Sequence, residues 1–520
     1  MPASDAISLE RPAGGLHAQV EARARGWPWA AGACAVALAS CLLWVAHLDL
    51  PLHDDEAGYA IAAYWWARGE PLYDMPTITR PQGIFVVFRA IQALGLGSVR
   101  GIHFFAAVYA GLCALLVYAI AARVWSRPVG LVAAALFGFA MATPYLEGYN
   151  SANAELFMLL PLLGSLALLL RADQLPLGSP TGLGWLAASG LVGALALLIK
   201  PAGFVALPVA GLWLLRRRFV EGAPWRAWLR AELALGAGAL LGLVPAVVHG
   251  LVTAPDAYLD AVLLYRLTKD SALVNPLGDQ VLRFSLTALY IALHLPVLLF
   301  ALPGFRAAHR ATARRGRDLL WLWLAGSLAG GMLGGGWYPH YFQQFLPPVA
   351  VAAGIGLVAV ARRPARPVTL GLQALAVASL AALALALAPA LRPDAAPQEL
   401  IRNYPPSLAA GEAIAAYLRE RTEPGERIYV AYQQPNLYYL AERRPAARWL
   451  YFRELKWTPG AFAEQVALLA DPGTAPRYVV GAQAFDAFGL DPDGALRAVV
   501  ARDYTLETTI AGVPLFRHKG

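Results

Sequence analysis

Charged side chains are sparse in this chain, and several of them crowd into one short stretch. His53-Asp54-Asp55-Glu56-Ala57-Gly58-Tyr59 is followed by Tyr64-Trp65-Trp66 and then by Thr79-Arg80-Pro81-Gln82-Gly83. Three consecutive carboxylates at the edge of a long apolar run are costly to place and hard to explain by packing. Carboxylates meeting a cation there suit a reaction between a charged lipid and a polar acceptor. Asp is favoured at helix N-caps, so the stretch predicts a helix over 56–68 capped by Asp54. Asp55 and Tyr59, four apart, then share one face. Glu56 does not share it with Asp55 and is expected to face water. Tyr64, Trp65 and Trp66 are residue types that settle at headgroup level, which predicts a helix lying along the membrane surface.

The rest of the chain must hold that stretch in place. Of its 520 residues 58% are hydrophobic and only 15% charged, which a soluble protein of this length rarely shows. The apolar residues form blocks of about 15–22, long enough for membrane helices. The net charge of +8 is no nucleic-acid footprint, because the arginines cluster at the ends of apolar runs as loop charges do. Cys34, Cys41 and Cys113 all lie inside apolar runs and form neither a disulfide framework nor a zinc pattern.

Arginine parity organises the spans. Residues 1–26 read as a cytoplasmic tail, and a first span over 27–47 delivers the acidic stretch to the outside. The block 84–96 is short and contains Arg89 and Gln92, so it is placed along the outer surface within a loop over 49–100. Further spans are expected at 102–122, 128–143, 155–170, 185–199, 202–215, 233–252, 281–302, 319–333, 342–360 and 368–388. That makes eleven, with the Arg-rich loops on the inner side. Residues 27–390 form the transmembrane domain. After Arg392 the composition changes, and 391–520 alternates polar helices with short β runs: helices at 406–422, 436–442, 460–470 and 496–502, strands at 427–432, 477–481 and within 506–517. This predicts a small parallel or mixed α/β domain on the same face as Asp55. No glycine-rich phosphate loop opens its helices.

Parity brings four polar clusters to that face: Asp54-Asp55-Glu56, Arg80, the 147–155 loop with Lys200, and 337–340. Here the chain resembles a known family. The acidic pair after the first span, followed by a Tyr-containing surface helix, looks like the first outer loop of C-type (GT-C) glycosyltransferases. The similar branch is that of protein O-mannosyltransferases and lipid A aminoarabinose transferases. Where that branch carries Lys-Pro-Pro or a near equivalent, this chain has Arg80-Pro81-Gln82-Gly83. Glu155 in Asn153-Ala154-Glu155 matches the acidic residue that opens a later span. Lys200-Pro201 and the segment from Tyr338-Pro339-His340-Tyr341-Phe342 to Pro347 also match, and Ile428-Tyr429-Val430 with Arg443-Arg444-Pro445 is similar to the outer domain of bacterial members. The resemblance covers nearly the whole chain, and it rests on the order and spacing of motifs that are individually weak.

The resemblance implies a polytopic GT-C enzyme of the bacterial inner membrane with a periplasmic C-terminal domain. Its activity would be inverting transfer of a sugar from a polyprenyl-phosphate donor to a glycan, lipid or protein acceptor outside the membrane. A carboxylate takes the acceptor proton in that chemistry, and Asp55 best fits this base. Cations stabilise the phosphate leaving group, and Arg80, Lys200 and His340 are the candidates. Tyr59 and Glu56, beside the base, are expected to bind donor or acceptor, and Glu155 orients the sugar or acceptor or helps hold a metal. No cofactor is assigned. A divalent cation, Mg or Mn, is left open, with Asp55 and Glu155 as the carboxylates that would take it. Plainer readings stand beside these: a cap for Asp54, snorkelling for Arg80 and Lys200, a satisfied interface histidine for His340, and a solvated loop charge for Glu147. The rival class is a transporter or lipid flippase of envelope glycolipids. Such proteins usually carry repeated halves with charge near the midplane, whereas here the charge gathers at one surface.

Overall fold

A computed structural model describes residues 27–74, 78–143, 151–265, 277–310, 314–332, 337–362 and 406–520, with scattered positions between 370 and 388. The apolar blocks fold as helices in the order expected: α1 (Trp27–Leu42), α2 (Asp54–Trp66), α3 (Gln82–Ala93), α4 (Val99–Val124), α5 (Arg127–Ala142), α6 (Ala154–Ala172), α7 (Pro180–Ile199), α8 (Ala206–Phe219), α9 (Trp225–Thr253), α10 (Leu277–Leu293), α11 (Leu295–Arg310), α12 (Arg314–Met332) and α13 (Leu346–Ala361). Local chemistry sets several starts. The hydroxyls of Ser98, Ser126 and Ser179 accept from the N–H groups of Gly101, Val129 and Gly182, at 3.1, 3.4 and 3.3 Å. Proline occupies the first turn of α5 and α7, where its missing N–H costs nothing.

Among the described residues six helices are long and apolar enough to cross a bilayer, or seven if a bent pair counts as one span. That pair, α10 and α11, bends by 76° where a single span over 281–302 is expected. The expected spans at 128–143 and 202–215 appear as the shorter α5 and α8. The expected eleventh span, 368–388, lies largely outside the described residues, as do the tail 1–26, Glu147 and the boundary near 391. The α3 helix has the length expected of a surface element. Twelve residues rise about 18 Å, well short of a hydrocarbon core of about 30 Å. Ile84, Phe85, Phe88 and Ile91 line its buried face at helical spacing. Its first turn presses on the end of α7, where a Cβ on Gly83 would stand 2.6 Å from the Leu198 carbonyl.

The C-terminal region contains α14 (Gly411–Arg421), β1 (Arg427–Val430), α15 (Asn436–Ala441), β2 (Arg444–Pro445), α16 (Phe452–Trp457), α17 (Ala461–Ala470), β3 (Tyr478–Val480), α18 (Ala495–Asp503), β4 (Tyr504–Ile510) and β5 (Val513–His518). Its five strands form one mixed sheet in the order β2-β1-β3-β5-β4. The β1 strand runs parallel to β2 and β3, while β5 runs antiparallel to β3 and β4. The two-residue β2 and the single turn α16 are too short to leave a periodic signal, and the sequence reading has neither.

This domain sits on α2. The Tyr64 hydroxyl donates to Glu442 at 2.8 Å, Arg444 pairs with Glu70, and the Arg444 guanidinium lies 4.8 Å from the centre of the Trp65 ring. Tyr439 donates to the Gly97 carbonyl at 2.6 Å. The expectation that Tyr64 and Trp65 reach lipid headgroups is therefore corrected: they form the seat of the C-terminal domain. Trp66 stacks edge-on with His249 and lies under Arg89 instead.

Candidate active site

The α2 helix begins one residue earlier than a cap at Asp54 requires. His53 has extended backbone at the N-cap, and Asp54 is the first helical residue. The Asp54 side chain accepts from the Gln433 amide and its carbonyl accepts from Tyr451 at 3.1 Å, so it docks the C-terminal domain. This corrects the capping assignment: the side chain bonds across the domain junction, not back to its own helix. Burial pushes the Asp54 carboxyl up from its ordinary value, although the Gln433 bond and nearby His53 oppose the shift. Tyr451 comes so close to α2 that a Cβ on Gly58 would collide with its hydroxyl.

Glu56 is fully buried, against the expectation that it faces water. It accepts from the backbone N–H of His53 at 2.5 Å and of Ala152 at 2.6 Å, and His103 Nε2 lies 3.1 Å away. Burying a carboxylate is tolerable only with such a partner set. Those bonds tie the start of α2 to α4 and to the chain leading into α6. Its carboxylate is turned into this interior network and does not line the cavity described below.

Asp55 stands on the opposite side of the turn. Its Oδ2 lies 3.7 Å from Arg80 NH2, and its side chain is 31% exposed to a cavity. Arg80 is itself buried. Its Nε donates to the Tyr59 hydroxyl at 3.1 Å and its NH1 to the Thr79 carbonyl at 3.0 Å, while Tyr73 donates to the Arg80 carbonyl at 2.9 Å. Tyr73 has φ of 81°, in the left-handed region unusual for a bulky residue, and that backbone turn brings its hydroxyl under the Arg80 loop. Burial alone would raise the Asp55 carboxyl. The opposing charge of Arg80, joined by His53, His340 and Lys200, holds it below its ordinary value instead. Asp54 and Asp55 are thus neighbours with opposite shifts, and the second is the one kept ionised.

A second acidic centre forms from helix ends. Glu155 lies in the first turn of α6, and Lys200 follows the last residue of α7. The partial charges of those ends favour an anion and a cation respectively, and the two helices pack side by side. Lys200 donates to Glu155, which is 1% exposed, and His340 Nε2 stands 3.4 Å from the same carboxylate. The short 3-10 segment Pro339–Phe345 positions His340, with Tyr338 stacked on its ring at 5.4 Å and the Lys200 ammonium 3.8 Å from the Tyr341 ring centre.

Asp55, Tyr59, Arg80 and His340 line one cavity of about 340 Å³. Glu155 and Lys200 stand behind His340. The cavity is completed by Tyr265, Tyr338 and Tyr341, and by five residues of the C-terminal domain that the sequence does not single out: Gln433, Tyr451, Phe452, Arg453 and Glu454. Tyr338 and Tyr341 flank His340 in a motif already noted, so adjacency was the available signal for them. Gln433 and Tyr451 meet Asp54 across 379 and 397 residues of chain, and nothing local marks them.

The carboxylates fit a divalent cation poorly. Asp55 faces Arg80, and Glu155 is held by Lys200 and His340, so each already has its counter-charge. Among the described residues no group of three or more His, Cys, Asp or Glu converges as a metal-ligand set.

No protein-family model matches the chain, and no curated protein sequence matches it. Solved structures do. ArnT of Cupriavidus metallidurans, bound to undecaprenyl phosphate, superposes with a TM-score of 0.60 at 17% identity, covering 94% of this chain and 98% of ArnT. The archaeal oligosaccharyltransferase AglB of Archaeoglobus fulgidus, in complex with an inhibitory peptide and a dolichol-phosphate, superposes at 0.56 with 13% identity, covering 94% of this chain and 74% of AglB. At these identities the likeness is one of fold. It carries the polytopic GT-C architecture with its C-terminal α/β region, and it bears out the fold expected from the motifs.

Proposed function

We propose that this multi-pass membrane protein is an inverting glycosyltransferase that takes a sugar from a polyprenyl-phosphate donor. The observation that carries the reading is the Asp55–Arg80 pair at the wall of a cavity shared by the membrane and C-terminal domains. ArnT and AglB, which share the fold, bind undecaprenyl phosphate and dolichol-phosphate. Arginine parity supports a periplasmic or outer location for the cavity, with the chain in a bacterial inner membrane.

The reaction needs a base on one side of the sugar and an anion acceptor on the other. An acceptor hydroxyl enters between Asp55 and the C-terminal wall. Its oxygen attacks the anomeric carbon, and its proton passes to the Asp55 carboxylate. The bond from the anomeric carbon to the phosphate oxygen breaks, and its electron pair leaves with the phosphate. One displacement inverts the anomeric centre and releases polyprenyl phosphate. Arg80, braced by Tyr59 and Tyr73, offers charge to the phosphate at no reorganisation cost. Lys200 and His340, already balanced by Glu155, shift toward it as its charge grows.

Purified full-length protein in lipid vesicles, given undecaprenyl-phosphate hexose and a hydroxyl-bearing glycan, lipid or peptide acceptor, should transfer the sugar with inversion. Asp55→Asn keeps the size but removes the basic charge. It should slow transfer by about 10²–10⁴-fold while undecaprenyl phosphate still binds. Because Arg80 holds Asp55 below the ordinary carboxylate range, the base stays ionised through mildly acidic pH. The acid limb of the rate profile should therefore fall below the ordinary carboxylate range. Near-normal transfer in Asp55→Asn would refute the assignment and move attention to Glu155.

A further inference from the structure

The C-terminal wall of the cavity carries a feature that donor chemistry does not use. Phe452, at the start of α16, lines the cavity, and its ring lies parallel to that of Phe488, with centroids 4.0 Å apart and planes 9° apart. Phe488 is 38% exposed and has φ of 60° and ψ of 8°, a left-handed conformation that a bulky aromatic residue rarely adopts. Such strain persists only where the surroundings impose it, and it concentrates at ligand clamps. Here it holds an exposed ring flat against one that faces the cavity. Around this platform stand Gln433, Arg453 and Glu454, three planar polar side chains.

We infer that this wall is the acceptor subsite and that the acceptor is a sugar, one of whose rings stacks on Phe452. The inference rests on the glycosyltransferase reading and names the class of its second substrate. A pyranose presents an apolar C–H face to a ring and a rim of hydroxyls to amide, guanidinium and carboxylate groups, which is the pattern on this wall. A peptide acceptor would be better served by a free strand edge. This wall is built from α16 and loop residues and offers no ladder to extend. Asp55 lines the same space, so a hydroxyl of the stacked sugar meets the base within one cavity.

The test uses full-length protein in lipid nanodiscs. Undecaprenyl phosphate reports the donor side, and cellobiose, lactose, mannobiose, chitobiose and a serine-containing peptide are the acceptor probes. At least one disaccharide should bind to wild type. Phe452→Ala should weaken it by about tenfold, the size of a lost ring contact. Phe452→Trp should retain it, and Phe488→Ala should weaken it by a few fold. Undecaprenyl phosphate should bind all variants alike, which also shows that they fold. Disaccharide binding that is absent, or indifferent to Phe452→Ala, overturns the subsite. So does peptide binding that is lost with Phe452. If undecaprenyl phosphate itself fails to bind wild type, the glycosyltransferase reading falls first and the subsite with it.

Discussion

The same helices carry a charge cluster at each end, and the two clusters differ in one respect. At the end where α6 begins, Asp55, Arg80, Glu155, Lys200 and His340 gather around a cavity of about 340 Å³. At the end where α6 stops, Asp173, Arg216, Arg217, Glu221, Arg315, Arg317 and Asp318 form a closed network. Arg315 Nε donates to Glu221 at 2.7 Å, Arg216 Nε to Asp318 at 2.8 Å, and Arg217 stands 3.3 Å from Asp173. The cavity beside Asp173 and Arg217 measures only about 10 Å³. The closed network ties α6, α8 and α12 together and leaves no room for a ligand. Charge density is similar at both ends, so it does not mark the site. Space beside the charge does, and so does a carboxylate whose cation stands at 3.7 Å and leaves it partly exposed.

Five substitutions sharpen this contrast. Arg80→Ala removes the buried guanidinium facing the cavity and should cost about 10²–10³-fold in transfer. Lys200→Ala and His340→Ala should weaken undecaprenyl phosphate binding more than acceptor binding, as titrations of each would report. Glu56→Gln should act through stability. Its three partners fix the start of α2, so the variant should lose about 1–3 kcal/mol and melt earlier in a thermal-shift assay. Its residual transfer per folded molecule should remain well above that of Asp55→Asn. Glu221→Gln should matter least. Pairs as open as Arg315–Glu221, with Arg315 52% exposed, contribute about 0–1 kcal/mol each, and transfer should be unchanged. Equal loss of transfer in Glu221→Gln and Arg80→Ala would erase the distinction between the two ends.

Much of this was legible in the sequence because it is local. Helix positions follow from apolar blocks and Ser-Pro starts, and the outer sheet follows from short β runs between polar helices. Arg80, Glu155, Lys200 and His340 stood out because each lies next to a helix end or a proline. What stayed hidden depends on distant partners. Glu56 looked like a surface carboxylate because the atoms that satisfy it belong to residues 53, 103 and 152. Tyr64 and Trp65 looked like membrane anchors because Glu442 and Arg444 lie far along the chain. Phe452 and Tyr451 enter the site only through docking of the C-terminal domain, which no periodicity reports.

In the proposed reaction the open cluster, not the closed one, receives the lipid phosphate. An undecaprenyl phosphate analogue with a photoreactive group next to the phosphate can be crosslinked to the full-length protein in nanodiscs, and the labelled peptides read by mass spectrometry. Label is expected on the segments around Arg80, Lys200 and His340, competed away by unmodified undecaprenyl phosphate and lost in Arg80→Ala. Competable label confined to residues 216–221 and 314–318 would contradict it.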